Sequence, residues 1–181
     1  ESLEKEEMLR QSRLKTEIAI KTADIMLWEF DVNSRLFFSD NEPLNGYDKS
    51  RPLSIDLYLE TIHPEDRKEM VSIMQRMNSG EDFSFTFEGR IKLFGSSEWQ
   101  YCFVNGSPYS YSESGQVLKY VGTRKNNTDI HKKKQLLDKI LNNIPLSIHI
   151  KDVEDNFRYI FCNEESKRMF GTSEDTTTYD V

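Results

Sequence analysis

Few side chains in this sequence have the chemistry for catalysis or metal binding, and their spacing keeps them apart. The 181 residues include three histidines. His63 precedes Pro64 in a charged turn, without a cysteine or second histidine nearby, so we expect a turn residue rather than a metal ligand. His131 stands at the start of a lysine-rich segment, where we expect a solvated side chain, and His149 gives no clear indication. We therefore predict no metal site.

The cysteines and paired carboxylates also fit structural roles. Cys102 and Cys162 are far apart, lack metal-ligand spacing, and are expected to be small strand residues in a reducing, cytoplasmic compartment. Glu65 and Asp66 fall where the first turn of a helix is predicted, and there they favour the helix dipole. The sequence has no glycine-rich phosphate loop. We predict that these residues form no catalytic site and that this segment is not an enzyme.

Composition narrows the classes of partner. The net charge is −7, and no basic stripe alternates with aromatic residues, so we expect no nucleic-acid partner. No apolar run approaches the roughly 20 residues that a membrane span needs. The chain begins at Glu1 rather than at methionine, so we expect a piece of a larger protein, with any membrane anchor of that protein outside these residues.

Hydrophobic alternation predicts an antiparallel sheet. Apolar and polar residues alternate in five segments, and two predicted helices, at 55–62 and 65–78, interrupt their order. Gly80 closes the second helix. The predicted strands are 26–32, 35–39, 83–93, 99–104 and 117–121. We expect the last strand to lie beside the first, with the helices covering one face.

Helical segments flank this unit. In the predicted linker helix, 1–24, Leu14 and Ile18 recur at helical spacing together with Ile25, which predicts pairing with a second copy; packing on its own domain is the alternative. A second linker helix is predicted at 131–143, with Asp129 as the N-cap. Residues 144–181 then echo the first unit, because Asn163-Glu164 corresponds to Asn41-Glu42. We interpret them as the start of a tandem repeat.

The order of these motifs resembles one family. The run Ile62-His-Pro-Glu-Asp-Arg67 is followed by Trp99 and a late block of glycine-containing motifs. That block consists of Gly106-x-Pro108, Gly115-x-Val117, Gly122-Thr123 and Asp129-Ile130. Together they resemble a PAS domain of the subclass with a helix-opening His-Pro-Glu-Asp motif, the late block being its PAC motif. The resemblance covers about residues 22–130, and the first third of a second copy follows.

This resemblance implies an α+β fold, a five-stranded antiparallel sheet with short helices on one face, at residues 25–130. Such domains are input modules in multidomain bacterial proteins, so we expect a sensory, relay and dimerisation role. The parent is expected to be a sensor histidine kinase of a two-component phosphorelay. A ligand-binding receptor upstream of a diguanylate cyclase or chemoreceptor output is the alternative. Asp129, Ile130 and Trp99 are the expected signal-coupling residues, although His131 stands where the family usually has threonine.

The resemblance also indicates which cofactors to expect. Haem-binding relatives use a histidine in the long helix, and residues 65–78 contain none. Flavin-binding relatives carry an Asn-Cys-Arg motif on a helix, which neither cysteine matches. We therefore expect no cofactor. A set of aromatic residues fills the core or lines a pocket for a small apolar or aromatic ligand: Trp28, Phe30, Phe38, Phe85, Phe87, Tyr101 and Phe103.

Overall fold

The computed structural model describes residues 2–39 and 51–171, which belong to two units that divide between Thr128 and Asp129. The first unit contains the following elements: α1 (Ser2–Thr22), β1 (Ile25–Asp31), β2 (Leu36–Phe38), β3 (Leu53–Ser54), α2 (Ile55–Glu60), α3 (Arg67–Asn78), β4 (Phe85–Lys92), β5 (Trp99–Tyr111) and β6 (Val117–Asn126). Asn41-Glu42, the proposed counterpart of Asn163-Glu164, and the end of the chain from 172 lie outside the described residues. Among those described, no helix combines the length and hydropathy of a membrane span.

The second unit begins within α4 (Thr128–Asn143). A hairpin follows, formed by β7 (His149–Asp152) and β8 (Arg158–Cys162), which pair antiparallel. The last described helix is α5 (Glu164–Phe170), which ends at Gly171 in the left-handed conformation, φ +66°. A glycine there satisfies the helix terminus without strain from a side chain.

The first unit is built on one antiparallel sheet in the order β3-β2-β1-β6-β5-β4. The predicted α+β class and the antiparallel sheet are confirmed, but the sheet has six strands rather than five. The additional strand, β3, is only two residues long and pairs Leu53 with Phe37. Such a short strand shows no alternation in sequence, and its second residue, Ser54, also caps α2 through a bond from the Leu57 amide.

The first and last long strands are neighbours in the middle of the sheet. β1 and β6 pair from Ile25 opposite Lys125 to Asp31 opposite Lys119. Because the two strands are antiparallel, β1 begins at the end of the sheet where β6 finishes. The chain therefore enters and leaves this sheet at adjacent positions.

One face of the sheet forms the core. Inward residues of β1 alternate with half-buried ones, and α3 contributes Met70, Ile73, Met74 and Met77 from a single helical face. Full burial of an apolar side chain of this size stabilises the fold by about 1.5–3 kcal/mol. Gly80, with φ +71°, follows α3 and allows the sharp exit that the sequence indicates. The core thus lies between the sheet and α2 and α3.

Two glycines leave room for Trp28 at the centre of this face. Gly122 lies opposite Trp28, and Gly106 lies opposite Gly122 and Phe85. A Cβ on Gly122 would overlap both the Asn105 carbonyl oxygen and the Trp28 ring, and one on Gly106 would lie 2.6 Å from Trp28 and Phe85. The two rings stack with centroids 6.0 Å apart. They occupy the space that side chains of β5 and β6 would otherwise fill.

The His-Pro-Glu-Asp turn holds the edge of the sheet. Asp66 Oδ2 accepts the Arg90 backbone N–H and Nε, each at 2.8 Å, and Oδ1 accepts Nη2 at 2.7 Å. Glu65 also accepts from Arg90 Nη2 at 2.7 Å. These carboxylates precede α3, which begins at Arg67, so the prediction that they serve the first helical turn was wrong. Arg90 attracts them because the fold places β4 beside this turn.

We predict that Asp66→Asn lowers the free energy of unfolding by about 1–3 kcal/mol, because charge-assisted bonds to Arg90 are lost. Hydrogen bonds from Arg90 hold the pKa of Asp66 below its ordinary value of 3.8. The ionised form is therefore favoured in the folded state, so its contribution is complete above pH 3.8 and disappears as pH falls through the folded pKa. Urea unfolding at several pH values measures both effects.

Glu65→Gln is the matched control for Asp66→Asn. Its carboxylate contacts the same guanidinium, but the side chain is 74% exposed, so the loss is expected to be clearly smaller than that of Asp66→Asn. Equal losses for the two variants would show that Asp66 has no special role at this edge.

We predict that Gly122→Ala destabilises the first unit by about 1–3 kcal/mol or more, because the new methyl group overlaps backbone as well as ring atoms. Trp28 must also move, so its fluorescence emission should shift. Gly115→Ala is the control: it has open space but φ +83°, so it should cost about 1 kcal/mol of backbone strain and leave the emission unchanged. Wild-type stability and emission in Gly122→Ala would contradict the packing described here.

Candidate functional site

Four of the seven predicted pocket residues lie together on the inner face of the sheet. Trp28, Phe30 and Phe87 are buried, and Phe85 packs against them from β4. Phe37 joins this group, with its ring centroid 4.7 Å from that of Phe30. Within the described part of the chain, these rings contact one another and the residues of α2 and α3. They are part of the packed core.

The other three predicted pocket residues lie on the opposite face. Tyr101 and Phe103 alternate with the buried Cys102 and Val104 on β5. Phe38 follows the buried Phe37 on β2 and is exposed. Strand periodicity therefore separates the predicted set into two groups, which the sequence analysis did not distinguish because both faces carry aromatic residues.

The inner face also carries a buried cation that the sequence analysis missed. Arg124 is 8% exposed, lies opposite Met26 and Val104, and shares its face with Tyr120 and Gly122. Residues of a strand alternate between its two faces, so Arg124, four residues after Tyr120, could have been assigned to the same face as Tyr120 from the sequence. Burial raises the pKa of both Tyr58 and Cys102, which Arg124 influences electrostatically, so these two groups are neutral at physiological pH.

A second polar group lies in the same core. Trp28 is 5% exposed, and its indole Nε1 is buried without a hydrogen-bond partner among the described residues. Such a group has lost its bonds to water without replacing them, which costs free energy. The inner face therefore combines large apolar rings with at least one unsatisfied donor.

The exit from the sheet is held by residues just before the predicted coupling pair. Thr128 Oγ1 accepts the Tyr101 N–H at 3.0 Å, and the Asn127 N–H donates to the Tyr101 carbonyl at 2.7 Å. Asn126 Oδ1 accepts the Thr128 N–H at 3.0 Å. Thr128, rather than a threonine at position 131, thus ties the start of α4 to β5.

The predicted coupling residues occupy different positions around this exit. Asp129 lies in the first turn of α4 rather than at its N-cap, because the helix begins at Thr128. Ile130 is 62% exposed. Trp99 is the first residue of β5. Its ring and that of His63 pack edge to face, with centroids 4.8 Å apart, and Lys92 Nζ lies 5.0 Å from the centroid of the Trp99 ring. His63 is therefore a packing partner of Trp99 in the turn before α3.

The predicted dimer residues belong to two elements. Leu14 and Ile18 lie on α1, where they are 54% and 57% exposed. Ile25 is the first residue of β1, so its assignment to the helical stripe was wrong. The helix ends at Thr22, and Asp24, with φ +53°, redirects the chain into the strand. Among the described residues, no group of three or more histidine, cysteine or carboxylate side chains is arranged to hold a metal.

Comparisons with known proteins give matches in structure only. No family model matches the sequence, and no curated protein matches it. A sensory box histidine kinase/response regulator from Burkholderia thailandensis has a TM-score of 0.54 and 17% identity, covering 70% of this chain and 94% of its own.

Two further structures are similar at lower scores. The N-terminal domain of a diguanylate cyclase with PAS/PAC sensor from Marinobacter aquaeolei has a TM-score of 0.48 and 17% identity, covering 59% of this chain and 98% of its own. A PAS domain from Colwellia psychrerythraea has a TM-score of 0.46 and 20% identity, and the match covers 67% of this chain and 98% of that domain.

The antiparallel sheet has its first and last long strands paired at the centre and its short helices on one face. The strand pattern predicted the pairing of the first and last strands, and the resemblance implied an antiparallel sheet with helices on one face. The Burkholderia sensory box is similar to this chain at the level of the fold. The first unit of this chain is a PAS-fold domain.

Proposed function

We propose that this chain is a sensory and relay module of a bacterial signal-transduction protein. The observation that supports it is the pairing of Ile25 with Lys125, which puts the end of the entry segment beside the start of the exit segment. A change in the packing of the core alters the angle or register of these two strands. Such a change moves the entry and exit helices between two arrangements, which is how a small shift becomes a signal.

The exit contacts support the same mechanism. Thr128 and Asn127 bond to both backbone polar groups of Tyr101, so β5 and the start of α4 move together. Cys102, the residue that follows Tyr101 on β5, is buried in the core. A displacement of the inner face therefore has a continuous path of strand backbone to the exit helix.

We propose that the parent protein is a sensor histidine kinase, so that the output of the module is a kinase domain. The second unit of this chain is proposed to be the start of another PAS domain. The similarity to a Burkholderia protein described as a histidine kinase supports this output at the level of fold analogy. A diguanylate cyclase or chemoreceptor output is the alternative. The module itself is proposed to have no catalytic role and to work in the cytoplasm.

We further propose that two copies pair through α1. The side chains at 4–19 are all exposed, although Met8, Leu9, Leu14 and Ile18 are large and apolar. An isolated helix of 21 residues gains little stability from propensity alone, and burying an apolar stripe is the usual source of the rest. On a second copy of α1, the same two side chains, Leu14 and Ile18, supply apolar surface for this pair to pack against.

We predict that Leu14→Glu/Ile18→Glu converts a dimer to a monomer, because two charges would have to enter the helix pair. Sedimentation at several concentrations gives the mass. The matched control is Ser12→Glu/Thr16→Glu, which adds the same charges at the same spacing on exposed positions away from Leu14 and Ile18. Pairing through α1 is contradicted if both variants, or neither, change the oligomeric state.

A second function, a receptor for a small apolar or aromatic molecule, is favoured by one observation. The unsatisfied Trp28 Nε1 lies among aromatic rings, and a ligand with a single hydrogen-bond acceptor would satisfy it. Arg124 adds a buried positive charge to the same face. This receptor would use the same strands and exit to pass on its signal.

For a receptor, we predict that the protein purified from cells carries a small molecule, seen as added mass in native mass spectrometry. A binder of the folded state also raises the melting temperature in a metabolite screen. Trp28→Phe keeps a ring but removes Nε1, so it should weaken binding, whereas Phe38→Leu on the opposite face should not. If the mass is that of the chain alone and no compound in the screen raises the melting temperature, the receptor function is contradicted and only the relay function remains.

A further inference from the structure

One side chain in the second unit joins three segments of backbone: the end of α4, the loop that follows it, and the start of α5. Asn163 has no exposed surface and stands between β8 and α5. Its Nδ2 donates to the carbonyls of Leu141 at 2.8 Å and Leu146 at 2.9 Å. Its Oδ1 accepts the N–H groups of Ile148 at 2.9 Å and Ser166 at 3.0 Å. All four hydrogen-bonding positions of the amide are therefore used.

These partners place the side chain at the ends of two helices. Leu141 lies in the last turn of α4, where carbonyls have no partner within the helix, and Ser166 lies in the first turn of α5, where N–H groups have none. A single amide thus serves as the N-cap of α5 and supplies a donor to the C-terminal end of α4. The connection between α4 and β7 is held by the same group.

Only asparagine fits this arrangement. Its two donors face two carbonyls, and its oxygen faces two N–H groups, so an aspartate would direct a carboxylate at carbonyl oxygens. Asn142 adds one weaker link nearby, where its Oδ1 accepts the Glu164 N–H at 3.1 Å from an exposed position. Asn163 itself is fully buried, so replacing its amide leaves its partners without this bond in a partly shielded place.

We propose that Asn163 is a latch that makes the C-terminal end of α4, the β7–β8 hairpin and α5 move as one body. In the relay function on which this inference rests, any rotation of α4 is then delivered directly to the second unit's strands. Without the latch, the last turn of α4 frays and absorbs the motion. Asn163 is a positioning residue: it transmits the arrangement of α4 without contacting a ligand.

Hydrogen–deuterium exchange on the full 181-residue chain tests the latch. Asn163→Ser keeps a hydroxyl that can cap α5 but removes both donors to α4 and the following loop. We expect peptides covering residues 138–148 to exchange about tenfold faster, since the two bonds to the Leu141 and Leu146 carbonyls are lost. Peptides of α5 and of β1–β6 should exchange as in the wild type.

Two further variants make the result decisive. Asn163→Ala should accelerate exchange in both α4 and α5, and Asn142→Ala should affect only the start of α5. Unchanged exchange at 138–148 in both Asn163 variants would overturn the latch and leave a simple N-cap. Exchange at 138–148 does not depend on dimerisation or ligand binding, so a failure of the relay function would be seen separately, in sedimentation or mass spectrometry.

Discussion

The pairing of β1 with β6 is the constraint on which the rest of the first unit depends. It brings together two segments almost 100 residues apart in sequence and places the entry and exit of the sheet side by side. The pairing is close because Gly122 has no side chain, which lets Trp28 cross β6 and stack on Phe85. Packing of the core and geometry of the exit are therefore consequences of one strand pair.

Polar groups fix the points where the chain leaves regular structure. Asp66 secures the turn before α3, Thr128 secures the start of α4, and Asn163 secures its end. Each bond joins a loop or helix terminus to a strand or helix that is distant in sequence. Unsatisfied buried polar groups are costly, so such contacts define one geometry more sharply than apolar packing does. In the proposed relay, these are the positions that have to be stiff.

The two faces of the sheet have different roles. The inner face is filled by aromatic rings and the methionines of α3, yet it retains the Trp28 Nε1 and the Arg124 side chain. The outer face carries Tyr101 and Phe103 together with polar pairs such as Glu29 and Lys119, whose atoms are 2.7 Å apart. In the proposed relay, a change on the inner face reaches the exit through β5, because successive residues of that strand belong to alternate faces.

The sequence by itself determined the local structure: alternation predicted the antiparallel strands, and Gly80 predicted the end of α3. It also indicated the PAS fold through the order of its motifs. Tertiary structure decided which aromatic residues face the core and that Ile25 belongs to β1. It alone paired Asp66 with Arg90, Thr128 with Tyr101, and Asn163 with Leu141, over separations of 24, 27 and 22 residues. Periodicity reports only which face a residue takes, whereas these contacts depend on the register between distant segments.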